Sequence, residues 1–177
     1  PARGGAKDDI LVYEETDDGF FMGVSVSASR AFIVLGLGNQ ETSEARIIPA
    51  SNPTATPTVV EPRAEGLRYD VEHWDDRFVI RTNADGALDF KLVEAPEDAP
   101  GRAQWRDLVA HAPGRFIAGF TAFKDHLVRL ERVDANNRIV IRTRAGAEHA
   151  ISFGEEAYAL SLEGGYEYDT TVMRFVY

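Results

Sequence analysis

Residues 72–76 read Glu-His-Trp-Asp-Asp, a histidine flanked by three carboxylates. In one dimension this is the composition of a metal site or of an acid/base pair. Three other stretches invite a chemical reading. "GVSVS" at 23–27 approaches the Gly-x-Ser-x-Gly elbow of serine hydrolases, with Ser25 as the nucleophile, but it lacks the last glycine and lies in an alternating strand. "NADG" at 83–86 has the start of a calcium loop, yet Leu92 stands where the bidentate glutamate belongs. "GLGNQ" at 36–40 has too few glycines, and no following helix, for a phosphate cradle. His73, His111, His126 and His149 are scattered, and no spacing pairs them with a nucleophile or with further metal ligands. No catalytic, cofactor-binding or metal-binding residue is predicted.

The elements that would position such groups explain these motifs better. Strand signals, short runs rich in β-branched, aromatic or leucine residues, occur at 10–13, 20–26, 32–37, 46–48, 77–82, 90–93, 116–123, 127–130 and 138–142. Gly, Pro, Asn and Asp separate them. Segments 103–110 and 153–160 have some helical character but are short and uncapped, and are assigned to strands or loops. Phe32, Phe78, Leu127 and Met173 each follow a polar turn ("SASR", "WDDR", "FKDH", "YDTT") at spacings of 46, 49 and 46 residues. Val59, Leu108 and Ile151 repeat late in each unit. A period in the mid-forties with about four strands per unit is that of β-propeller blades.

The predicted fold is therefore all-β: a partial propeller of about three and a half blades of four-stranded antiparallel sheets. An incomplete blade is expected at 1–19, blades at 20–66, 67–114 and 115–157, and a truncated one at 158–177. Inner strands are expected near 20–27, 68–74, 115–123 and 158–163, with Phe32, Phe78, Leu127 and Met173 buried between sheets. In this frame "EHWDD" is the end of an inner strand and the turn that follows. His73 and Trp74 face opposite ways, and Asp75 and Asp76 cap local backbone groups. "NADG" becomes a hairpin turn. His126 and His149 fall near strand starts, as surface or edge residues. The acidic pairs 17–18, 75–76 and 155–156 fall at solvated turns.

Bulk composition narrows the partners. The formal charge of −10 argues against nucleic acid and anionic membranes as partners. No apolar run approaches a membrane span, and the start "PARGGAKDD" reads as a linker without a signal-peptide core. The absence of cysteine excludes disulfides and thiolate sites. It fits a cytoplasmic location, with the periplasm as the alternative.

Four stretches carry a resemblance: "LVYEETDDGFFMGVSVSAS" (11–29), "TSEAR" (42–46), "YDVEHWDDRFVIRTNADGALDFKLVEAP" (69–96) and "YDTTVMRFVY" (168–177). In this order they resemble the oligopeptidase B (protease II) branch of the prolyl oligopeptidase family of serine peptidases. The resemblance implies a propeller that restricts access to an α/β-hydrolase domain of the same polypeptide. That domain would carry a Ser/Asp/His triad and cleave short peptides after lysine or arginine. The matched stretches belong to the propeller, so no triad residue is carried over and the chain is expected to be inactive and to need no cofactor. Self-association through open sheet edges is expected. The alternative is a stand-alone propeller-like interaction module without hydrolase activity.

Overall fold

The structure is a computed structural model that describes residues 9–151, 153–155, 158–165 and 167–177. The opening residues 1–8 and Glu156 lie outside the described residues. Three four-stranded antiparallel meanders follow one another, and a two-stranded sheet comes last. The first comprises β1 (Phe21–Val26), β2 (Phe32–Gly38), β3 (Ser43–Pro49) and β4 (Thr58–Glu61). The second comprises β5 (Tyr69–Trp74), β6 (Arg77–Thr82), β7 (Lys91–Pro96) and β8 (Arg106–Val109). The third comprises β9 (Arg115–Phe123), β10 (His126–Val133), β11 (Asn136–Thr143) and β12 (Glu148–Ala150). The last pairs β13 (Ser161–Leu162) with β14 (Phe175–Val176).

The sheets stack face to face, so their middle strands are buried on both sides. Along β6, Phe78 and Ile80 join the core shared with the first sheet, while Val79 joins the core shared with the third. The strand period of two thus divides one apolar run between two interfaces. Phe78 is fully buried and meets Phe32 of the first sheet edge-on, with ring centroids 4.9 Å apart. Phe78 in β6 and Leu127 in β10 occupy the same place, second in the strand and facing the preceding sheet, whereas Phe32 opens β2 and faces the following one; Val59 and Leu108 lie in the fourth strands β4 and β8. Phe78 and Leu127 are buried. Phe32 and Met173 are half-buried: Phe32 stands at the very start of β2, and Met173 lies in the connection before β14.

Several expectations are corrected. Residues 10–13 form no strand; Val12 and Tyr13 instead lie against Leu35, Leu37 and Ile48 on the outer face of the first sheet. Arg63 holds this segment by pairing with Glu15 at 2.6 Å and covering the Phe20 ring at 3.9 Å. That pairing lowers the Glu15 carboxyl to about 2. Of the inner strand expected at 158–163 only Ser161–Leu162 is paired. Segment 103–110 holds a 3-10 turn, Arg102–Gln104, followed by β8. "NADG" is not a tight hairpin turn: Ala84–Gly86 is a 3-10 turn in a longer connection, with Asp85 and Gly86 at positive φ (59° and 78°).

Neighbouring sheets are also joined by directed hydrogen bonds. Between β3 and β4 the register shifts at Ala45/Arg46. The Tyr69 hydroxyl, from the first strand of the next sheet, fills that bulge. It accepts from the N–H groups of Ala45 (2.7 Å) and Glu61 (3.1 Å) and donates to the Glu61 carbonyl (2.6 Å). Burial pushes its pKa up to about 12, so it stays a donor at any ordinary pH. Tyr69→Phe leaves these backbone groups unsatisfied, at about 1–3 kcal/mol for a buried group stranded without a partner. Urea denaturation is expected to show a midpoint loss of that size with an unchanged slope; an unaltered midpoint would show the bulge to be hydrated.

Candidate functional site

The turns from first to second strand, at 27–31, 75–76 and 124–125, come together at one end of the stack. They border an open cleft of about 550 Å3, whose walls include Ser29, Arg30, His73, Asp75, Lys124 and Tyr168. Arg30 and Asp75 are non-glycine residues in the left-handed region (φ 61° and 64°), which lets each turn reverse sharply. This is where "EHWDD" lies.

His73 is buried, its side chain 5% exposed. Its ring packs among Phe32 (4.9 Å) and Phe78 (5.5 Å). Nδ1 is 2.7 Å from the Ser29 hydroxyl and Nε2 is 2.5 Å from a Glu97 carboxylate oxygen. Ser29 is in turn 3.0 Å from the Ser27 hydroxyl. The Glu97 carboxylate can only accept, so Nε2 donates to it, and the other ring nitrogen is engaged by the Ser29 hydroxyl.

A serine, a histidine and a glutamate in a row have the outline of a nucleophile, a base and an orienting group. The surroundings do not complete a site. Acyl transfer needs donors aimed at the developing oxyanion, and the Ala31 N–H beside Ser29 is spent on the Ser29 hydroxyl itself at 3.3 Å. With both nitrogens engaged, His73 offers no lone pair to a metal. The row is an inter-sheet staple.

The three carboxylates are spent in the same way. Glu72 accepts from the N–H groups of Ala28 (2.9 Å) and His73 (2.7 Å), and burial raises its pKa. Asp75 holds Arg144 at 2.7 Å and Asp76 holds Arg77 at 2.9 Å. The two aspartates therefore anchor arginines, where the sequence suggested backbone capping. Arg77 holds the Asp76 carboxyl below its usual range.

The remaining candidates stay apart. Ser25 lies on exposed β1 and makes no side-chain hydrogen bond among the described residues. Gly36 and Gly38 are strand residues of β2. Asp85 pairs with Lys91 and Arg102, and Leu92 is buried in β7. The His111 Nε2 accepts from the Asp89 N–H at 3.4 Å. His126 and His149 are exposed on β10 and β12.

Ser29, Glu97 and Tyr168 are the participants that the sequence did not single out. A signal existed for two of them. Ser29 and Tyr168 belong to "SASR" and "YDTT", turns in phase with "WDDR", and equivalent turns of stacked repeats meet at one end.

The model for the N-terminal β-propeller domain of prolyl oligopeptidase matches residues 4–177. Dipeptidyl aminopeptidase BI of Pseudoxanthomonas mexicana is 39% identical over 97% of the chain, and Protease 2 of Moraxella lacunata is 31% identical over 96%. The chain spans 24% of the length of each. Oligopeptidase B from Trypanosoma brucei, solved in a closed form with covalently bound antipain, superposes with a TM-score of 0.89 at 22% identity. The match covers 98% of this chain and 26% of that one, and establishes likeness of fold.

Proposed function

Because the chain belongs to the prolyl oligopeptidase family, as part of its N-terminal β-propeller domain, we propose that it is the access-restricting segment of a serine peptidase. The observation that carries this reading is a set of propeller blades whose Ser29–His73–Glu97 row is consumed as a staple between sheets. The catalytic triad would lie in an α/β-hydrolase domain of the same polypeptide, and the blades would admit short peptides and turn away folded proteins. We draw the blade units at 20–66, 67–114 and 115–157, with partial units before and after, and take the protein to be cytoplasmic.

The purified chain is expected to show no hydrolysis of arginyl or lysyl peptide amides and no labelling by a serine-directed phosphonate, since a nucleophile needs an adjacent base and oxyanion donors together. Labelling abolished by Ser29→Ala or Ser25→Ala would overturn this. The longer polypeptide is expected to cleave short peptides after Lys or Arg and to spare the same sequence inside a folded protein; equal rates on both would remove the access role. The 39% identity to a dipeptidyl aminopeptidase favours a second reading, release of dipeptides from a free N-terminus. Blocking the substrate's amino group separates the two, since it abolishes dipeptide release and leaves internal cleavage intact. An interaction module without hydrolase activity would fail with every substrate.

The isolated chain would self-associate through the first sheet. Met22, Val24 and Val26 of β1 are 46%, 66% and 57% exposed. They pair with Leu37, Leu35 and Ile33 and so extend that sheet's apolar outer face. Light scattering is expected to give a mass above 19.5 kDa at high concentration, falling to the monomer in Val24→Lys. A monomer throughout would show that the face tolerates water.

A further inference from the structure

The connections between first and second strands differ in length: 27–31, 75–76 and 124–125 in the first three sheets, against 163–174 in the last. Glu167 and Tyr168 of the long connection reach back to the other sheets. The Tyr168 carbonyl accepts from the Lys124 N–H of the third sheet at 2.7 Å, and the Tyr168 hydroxyl accepts from the Asp75 N–H of the second at 3.1 Å. Glu167 pairs with Arg30 of the first sheet at 3.1 Å. Two adjacent residues of the fourth unit thus touch all three preceding ones.

Successive blades fan around an axis, and units one and four have two others between them. They can meet only across that axis, where the inner ends converge. We propose that Glu167 and Tyr168 form a crossbar over one mouth of the propeller's central opening. This rests on the access-restricting reading above and names a device for it: a peptide threading from this end must displace Tyr168.

The attachments are unequal, as a movable part requires. The Arg30–Glu167 pair is exposed on both sides (75% and 72%), and is therefore weak and weakened further by salt. Tyr168 is partly buried against the cluster containing Trp74 and carries the hold on the second and third sheets. At the near end stand Gly164 and Gly165, the latter at φ 85°, a position that admits rotation without a Cβ clash.

The chain has no cysteine, so Arg30→Cys with Glu167→Cys introduces its only thiols. A short bismaleimide is the suitable probe, because an Arg–Glu pair spans more than disulfide reach. An intramolecular cross-link is expected. Tyr168→Phe is expected to raise hydrogen exchange at the Asp75 amide about tenfold, while Lys124, bonded to a backbone carbonyl, keeps its protection. Absence of the cross-link, or an unchanged Asp75 amide, would overturn the crossbar's placement.

In the longer polypeptide with the same cysteine pair, cross-linking is expected to slow cleavage of a peptide of about ten residues roughly tenfold and to spare a single-residue amide. Unchanged rates on both would overturn the crossbar as a barrier. That result would leave access restriction itself intact, since the discrimination between peptide and folded protein tests it separately.

Discussion

Phe78→Ala is expected to lower the stability of the chain by about 3–5 kcal/mol, the range for removing a fully buried aromatic side chain. Phe78 has no solvent exposure and touches both Phe32 and His73, so the cavity would open between the first and second sheets. Little can collapse into it. Val34, Ile47, Ile80 and Val93 around it belong to hydrogen-bonded ladders whose registers hold their Cα positions. A domain's whole stability is commonly about 5–15 kcal/mol, so the variant would be partly unfolded near physiological temperature. Thermal unfolding by circular dichroism checks this. Phe78→Leu, which restores most of the volume, should recover most of the loss. A change below about 1 kcal/mol in the alanine variant would mean that the sheets close over the gap.

Glu131→Ala is expected to cost a similar amount, about 3–5 kcal/mol, for an electrostatic reason. The Glu131 side chain is fully buried in β10 and accepts from Arg129 Nε and Arg138 Nε, both at 2.7 Å. Arg129 is itself only 4% exposed. Its other partner, Glu148, takes two of its N–H groups at 2.9 and 2.8 Å, and that bond holds the Glu148 carboxyl below its ordinary range. Removing Glu131 would strand the Arg129 Nε–H in a site that water does not reach. The double replacement Arg129→Met with Glu131→Leu should cost less than Glu131→Ala alone, because apolar side chains of similar volume need no partners. Urea unfolding of the three variants decides the matter. A double variant worse than the single one would show the ion network to be worth more than its desolvation.

The repeat was legible because every unit must enter its buried second strand with an apolar residue after a polar turn. Phe32 opens β2, Phe78 and Leu127 are the second residues of β6 and β10, and "SASR", "WDDR" and "FKDH" mark the turns before them. The fourth strands were harder to see. Thr58–Glu61 and Glu148–Ala150 are short and pair along one edge only, so they need little apolar sequence. The segment at 10–13 failed differently. Its β-branched and aromatic residues satisfy a strand pattern, but burial against Leu35 and Ile48 uses the same residues without a ladder.

Composition, spacing and strand period, all properties of the chain read in order, determined the all-β class, the blade repeat and the turn at "EHWDD". What His73 does was decided only by folding. Its partners Ser29 and Glu97 stand 44 and 24 residues away, on turns that meet because sheets stack about an axis. The same holds for Tyr168, whose contacts with Asp75 and Lys124 cross three units. A side chain's role depends on which donors and acceptors surround it after water is excluded, and that company is assembled by packing between sheets.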